Sequence, residues 1–289
     1  MHKRWPEHIS VRDLCSGFLL FLTVFFIASC VSPAQRIDDI AAENNFERRV
    51  VSGDGFRHIV YLKITRSSNP RLHVYIEGDG KPWLHGRYIA QDPTTQRPLA
   101  LELAKLDNEN VLYLGRPCYM GLFDDDVCED KYWTSARYSA EVVESMSAVV
   151  SRIAEELKFN KVTLIGYSGG GTLAMLMSSD STFKLSSYLD SVVTVAANLD
   201  VAAWIRQHNY LPLTESLDPL LAHYPESINF MHYIGADDGN VSAEQTLNFV
   251  AKHGGRYKIL EAVDHSCCWL QHWPELLMRD VNPMGSKVE

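Results

Sequence analysis

The run Lys161-Val-Thr-Leu-Ile-Gly-Tyr-Ser168-Gly-Gly-Gly171 constrains the fold of this chain more than any other segment. An apolar, β-branched stretch ends in Gly-x-Ser-x-Gly, and small residues at helical spacing follow from Thr172 to Met177. The pattern predicts a strand, a sharp turn and a helix in immediate succession. So tight a turn strains the serine backbone, and the neighbours must lack bulk. Gly166, Gly169 and Gly170 meet that need, because glycine has no Cβ to clash. The Ser168 hydroxyl then stands clear of the sheet, beside a helix N-terminus whose free N–H groups favour developing negative charge. Gly-x-Ser-x-Gly alone is a weak signal, equally at home in an ordinary glycine turn. The rest of the chain has to decide.

The 289 residues suffice for one large domain with a substantial core. Phe46 to Val51 and Phe56 to Ile64 read as strands around the hairpin turn Ser52-Gly53-Asp54-Gly55. Further strands are expected at Leu72 to Ile76, Val111 to Leu114, Val192 to Ala197, Ile228 to Ile234 and Tyr257 to Val263. Helical spacing marks Leu99 to Leu106, Trp133 to Leu157 with Thr134 as its cap, Ala243 to Lys252 and Trp269 to Met278. A hairpin followed by alternating strands and helices predicts an α/β fold, with a mostly parallel central sheet and helices on both faces. Residues 199–227 interrupt the rhythm with Trp204, His208, Tyr210 and Pro212. They read either as a small cap over a cleft or as a helix with an irregular loop.

The first residues read as a leader. Lys3, Arg4 and Arg12 precede an apolar run from Leu14 to Ala28, about the length of a secretory signal core and short for a membrane span. The run ends Ile27-Ala28-Ser29-Cys30, a tetrad that resembles the lipobox of bacterial lipoproteins. The resemblance implies a signal peptide over residues 1–29, a diacylglyceryl group on Cys30 and a tether over residues 30–45. The domain proper is expected over residues 46–289. Val31 after Cys30 implies sorting to the outer membrane of a Gram-negative envelope, facing the periplasm, with the membrane as partner through the lipid. A net charge of −9 with no basic run excludes nucleic acid as a partner.

Exported chains keep disulfides. Cys118–Cys128 is the expected pair, because it closes the short polar loop Tyr119 to Val127. Cys267 and Cys268 are adjacent, an uncommon spacing for a bridge. No Cys-x-x-Cys pair points to a metal.

A serine hydroxyl is a poor nucleophile until a base takes its proton, and the base needs an orienting carboxylate. Both are expected beyond the elbow, at the ends of later strands. Gly235-Ala-Asp237-Asp238-Gly-Asn-Val241 follows one strand, and Asp264-His265-Ser-Cys-Cys-Trp269 follows the last. In this order, the three motifs resemble the α/β-hydrolase superfamily over roughly residues 46–280. The resemblance implies Ser168 as nucleophile, His265 as base and Asp238 as acid, with Asp237 the alternative acid; the rival reading of Asp264 is that it orients a neighbour rather than serving in the triad. It also implies an oxyanion hole from the Gly169 N–H and the segment Glu77-Gly78-Asp79-Gly80, with Asp79 and then Gly80 as donors. Glu77 stands where many members carry histidine. Trp83, His85, Arg87, Tyr88, Tyr167 and Trp204 are candidate cleft residues. The block Arg116-Pro117-Cys118-Tyr119 with Trp133-Thr134 and Asn198-Leu199-Asp200 is similar to bacterial α/β-hydrolase lipoproteins. The implied chemistry is acyl transfer to water on a carboxylic ester, with a peptidase, a thioesterase or a non-catalytic envelope protein as rivals. It needs no metal or organic cofactor.

Overall fold

A computed structural model of the chain describes residues 31–65, 70–179 and 184–281. The expected leader and Cys30 fall outside these residues. The strands are β1 (Glu47–Ser52), β2 (Arg57–Lys63), β3 (Arg71–Ile76), β4 (Trp83–Leu84), β5 (Tyr88–Ile89), β6 (Asn110–Leu114), β7 (Lys161–Tyr167), β8 (Leu189–Val195), β9 (Asn229–Gly235) and β10 (Arg256–Leu260). The α-helices are α1 (Pro33–Glu43), α2 (Leu99–Lys105), α3 (Ala140–Glu156), α4 (Gly169–Ser178), α5 (Val201–His208), α6 (Ala243–His253) and α7 (Trp269–Leu276). No helix among the described residues is long and apolar enough to cross a membrane.

One sheet of eight strands runs in the order β1-β2-β6-β3-β7-β8-β9-β10, and β4 pairs with β5 in a separate small ribbon. β1 pairs antiparallel with β2, and β2 antiparallel with β6. From β6 to β10 every pairing is parallel. Parallel pairing brings the C-terminal ends of β3, β7, β8, β9 and β10 to one rim, where such sheets hold their ligands.

Period-2 alternation builds a core on each face. Leu72, Val74 and Ile76 of β3 face one way with Val142, Met146, Val149 and Ile153 of α3. Tyr75 faces the other way with Leu101 of α2 and Trp269 and Trp273 of α7. Both sides are sealed, so the polar chemistry is left to the strand ends.

Two expectations need correction. Most of the tether is a packed helix. Ala34, Ile37 and Ala41 form an apolar stripe on α1; Ile37 and Ala41 are buried on the sheet, and Ala34 and Ile40 pack beside them. Tyr61 Oη donates to Asp38 Oδ1 at 2.7 Å, and Arg48 pairs with the same oxygen at 2.9 Å. The polar majority of the segment hides this stripe in the sequence. The long helix expected from Trp133 starts instead at Ala140, and its cap is Ser139, whose Oγ accepts from the Val142 N–H at 3.4 Å. Thr134 follows a short 3₁₀ turn and donates to the Asp130 carbonyl at 2.7 Å. Between Thr134 and Ala140, Arg137 and Tyr138 turn both side chains inward to a carboxylate at the end of β3.

If α1 is part of the core, Ile37→Ala should destabilise the domain by about 3 kcal/mol in urea unfolding. A loss below about 0.5 kcal/mol, the scale of a surface change, would show that α1 packs without consequence.

Candidate active site

β7 ends at Tyr167, and Ser168 takes φ 52° and ψ −124° before α4 begins. This left-handed backbone is costly for serine and is held from both sides. The Ser168 N–H donates to the Val195 carbonyl at 2.9 Å, and the Ser168 carbonyl accepts from the Gly171 N–H at 2.9 Å. The next turn must also pass very close to β3. A Cβ on Gly170 would lie 2.2 Å from the Ile76 carbonyl oxygen, and one on Gly169 would lie 2.0 Å from an oxygen of the Asp79 carboxylate.

The loops after β9 and β10 bring two side chains to Ser168. His265 Nε2 lies 3.0 Å from Ser168 Oγ, and His265 Nδ1 lies 2.9 Å from Asp238 Oδ2. The Asp238 side chain is 1% exposed. Its other oxygen accepts from the N–H groups of Asn240 and Val241, both at 2.8 Å. A carboxylate so held presents one fixed lone pair to the imidazole. Asp237, the alternative acid, is exposed, and its N–H donates to the Val263 carbonyl at 3.0 Å. Asp264 is also exposed and accepts from the N–H groups of Ser266 and Cys267, bonds that hold its carboxyl below the usual range. The buried Trp269 indole donates to the Asp264 and His265 carbonyls at 3.0 and 3.2 Å, fixing the histidine loop. Asn240 Nδ2 sits 3.0 Å from His265 Nε2.

The segment after β3 lies directly against the elbow: a Cβ on Gly78 would be 3.3 Å from Ser168 Cβ. Asp79 is its anchor. Its carboxylate accepts from Arg116 Nη1 at 2.6 Å, Arg137 Nη1 at 3.0 Å and Tyr138 Oη at 2.6 Å. Burial pushes this carboxyl up, but Arg137, Arg116 and the Tyr138 hydroxyl outweigh it and hold the group at about 2. Tyr119 Oη donates to the Asp79 carbonyl at 3.0 Å. Gly80 is exposed on the same segment with φ 66°. Glu77 is buried, accepting from its neighbour Gly78 N–H at 3.1 Å and from Ala100 N–H at 3.0 Å. It thus caps α2, whose own cap residue is Pro98 and offers no side-chain acceptor.

These elements border a cleft of about 1180 Å³. Ser168, His265, Asp79 and Gly80 line it, as do the expected Trp83, Tyr167 and Trp204. Gly169 does not: it is buried behind Ser168. His85, Arg87 and Tyr88 were expected in the cleft but are exposed at the β4–β5 ribbon and outside the lining. Residues 209–213, in the 199–227 insertion, form part of the wall. Tyr167 packs on His265 with ring centroids 5.3 Å apart. Cys118 and Cys128 are bridged, and so are the adjacent Cys267 and Cys268. No group of acidic, histidine or cysteine side chains among the described residues is arranged to hold a metal ion.

Sequence reading missed the roles of Arg116, Arg137, Tyr138 and Asn240. Arg116 stands two residues past β6, which was a usable signal. Arg137 and Tyr138 were concealed by the helical pattern assigned across them.

No family model matches the chain, and no curated protein matches it. Solved structures match it in fold. An alpha-beta serine hydrolase homologue from Coxiella burnetii is 15% identical, with a TM-score of 0.52 over 82% of this chain and 97% of its own. A Pyrococcus furiosus esterase is 14% identical, with a TM-score of 0.56 over 82% and 92%. A membrane phospholipase A described as a bacterial virulence factor is 14% identical, with a TM-score of 0.54 over 92% and 98%. With its mostly parallel eight-stranded sheet and flanking helices, the chain has the α/β-hydrolase fold.

Burial raises the Glu77 carboxyl from 4.5 to about 7, against the lowering effect of its N–H donors and the Tyr113 hydroxyl. The folded protein then holds a proton that the unfolded chain has released between those values. The stability it contributes is full below 4.5 and is lost as pH rises through about 7, to a limit of about 3 kcal/mol. Urea unfolding from about pH 4 to about pH 8 should therefore show wild type losing stability relative to Glu77→Gln as pH rises. A difference between the two that does not vary with pH would show that folding does not shift the Glu77 carboxyl.

Proposed function

We propose that this protein is an exported, lipid-anchored serine hydrolase that cleaves carboxylic esters. The observation that carries the reading is the unbroken line from Ser168 Oγ through the His265 imidazole to the buried Asp238 carboxylate, with steps of 3.0 and 2.9 Å. That line performs acyl transfer as follows. His265 Nε2 takes the Ser168 proton as Oγ attacks the ester carbonyl. Asp238 holds the proton on Nδ1 and stabilises the imidazolium that forms. The N–H groups of Gly169 and Asp79 are the donors assigned to the developing oxyanion, and the helix N-terminus at Ser168 adds to their field. The tetrahedral intermediate collapses, the ester C–O bond breaks, and the alkoxide leaves with the proton from Nε2. Water, deprotonated by the same nitrogen, then hydrolyses the acyl-enzyme and returns the proton to Ser168.

The lipid and the location rest on the Ile27-Ala28-Ser29-Cys30 tetrad. Two or more acyl chains on Cys30 would hold the mature protein stably on a bilayer, in the cell envelope.

A fluorophosphonate probe should label the wild type and leave Ser168→Ala unlabelled. Asp238→Asn should lower kcat on a short-chain ester by about 10³- to 10⁴-fold, because the imidazole then adopts the wrong tautomer. A folded wild type that takes no label and turns over no ester would instead favour a non-catalytic envelope protein. For the anchor, cells fed radioactive palmitate should label the wild type and not Cys30→Ser, and the variant should remain unprocessed. Equal labelling and processing of the two would remove the lipid from the proposal.

A further inference from the structure

The cleft carries more positive charge than its surroundings explain. Arg36 of α1, Lys81 and Arg97 line it, and none of the three makes an ion pair or a side-chain hydrogen bond among the described residues. Several acids of these segments have partners, none of which is Arg36, Lys81 or Arg97. Asp38 is held by Tyr61 and Arg48, Asp39 accepts from Gln35, and Asp92 accepts from the Thr94 N–H. Glu102, in the lining itself, pairs with Lys105 at 2.8 Å. Asp79 is shared between Arg116 and Arg137, and Asp238 is bound by His265 and two amides. Glu77, in the same wall, is held towards its neutral form by burial. Three cations without an ion-pair partner among the described residues therefore share one cleft of a chain whose net charge is −9.

The cations share a side of the sheet order. Arg36 lies on α1, which packs over the β2 side, and Lys81 and Arg97 follow β3. Apolar side chains dominate the opposite flank, while Pro82, Trp83, Pro98 and Leu99 stand among the cations. Trp204, Tyr210, Leu211, Pro212 and Leu213 come from the insertion after β8 and line the other flank of Ser168. Tyr210 is 51% and Leu211 74% exposed, so both are open to a ligand in the cleft. At about 1180 Å³ the cleft also exceeds the few hundred to about 1,000 Å³ typical of small-ligand sites.

Resting on the hydrolase reading above, we infer that the substrate is an amphiphilic ester: a hydrocarbon acyl chain lies along residues 204–213, and an oxyanion group, phosphate or carboxylate, on the alcohol part is received by Arg36, Lys81 and Arg97. The ester carbonyl then sits at Ser168, between the two ends.

The test uses three esters with one octanoyl chain: those of glycerol, of glycerol phosphate and of glyceric acid. Each is assayed by octanoate release below its aggregation concentration. At least one anionic ester should exceed the glycerol ester in kcat/KM by about tenfold or more at low salt, mainly through KM, as expected for three exposed charge contacts. The ratio should shrink as salt rises from about 0.01 M to about 0.15 M, because screening shortens the reach of such contacts. In Arg36→Gln/Lys81→Gln/Arg97→Gln, shown folded by circular dichroism and labelled by the fluorophosphonate, the ratio should fall to near one. Which anionic ester gains tells phosphate from carboxylate. A wild type that takes the probe and cleaves all three equally, or a triple variant that keeps the preference, overturns this inference and leaves the hydrolase reading standing. A wild type that takes no probe and cleaves none overturns both.

Discussion

The carboxylate of Asp79 is where the rim around Ser168 is pinned together. It joins four elements distant in sequence: the end of β3, Arg116 after β6, Arg137 and Tyr138 before α3, and the first turn of α4 through Gly169. A buried charge costs several kcal/mol unless it is matched, and here two guanidiniums and a phenol match it. Arg116 is fixed in turn: its Nη2 donates to the Arg137 carbonyl at 2.9 Å, and its guanidinium lies 5.1 Å from the Tyr119 ring. The Cys118–Cys128 bridge closes the loop that carries Tyr119, whose hydroxyl reaches back to the Asp79 carbonyl. The backbone beside Ser168 is thereby held from its side chain and from its carbonyl. The oxyanion site proposed there would require such rigidity, since donors that must reorganise give little transition-state stabilisation.

The other half of the rim is laced by backbone. The Ala236 N–H donates to the Leu260 carbonyl at 2.9 Å and the Asp237 N–H to the Val263 carbonyl at 3.0 Å, so the acid turn and the histidine loop are one piece. Parallel register between β9 and β10 sets their offset. Asp238 and His265 meet because the sheet delivers both loops to the same edge, and the Trp269 indole stops the second from drifting.

Much of this was legible in the residues because local rules and the final fold agree. The elbow reads clearly, since few sequences other than a run of glycines pass so close to β3. The strands read well because both faces of the sheet are buried and the runs are β-branched. Asp238 and His265 read from their places after strands. What did not read is what long-range side chains decide. Arg137 and Tyr138 lie within a stretch of helical periodicity, yet both side chains are drawn to the carboxylate of Asp79, far away in sequence. Glu77 looked like a departure from a histidine turn, and its use became visible only with Ala100 beside it. α1 was hidden by its polar majority, because three or four apolar contacts suffice to dock a short helix when its partners are in place.

The docking of α1 shortens whatever leash precedes it. α1 begins at Pro33, three residues beyond Cys30, so a lipid on that cysteine would be joined to the folded body by at most about 11 Å of extended chain. A protein on so short a mooring does not sweep the space around it. So anchored, the protein would work the surface to which it was tied, and its supply would be set by what diffuses laterally within that leaflet.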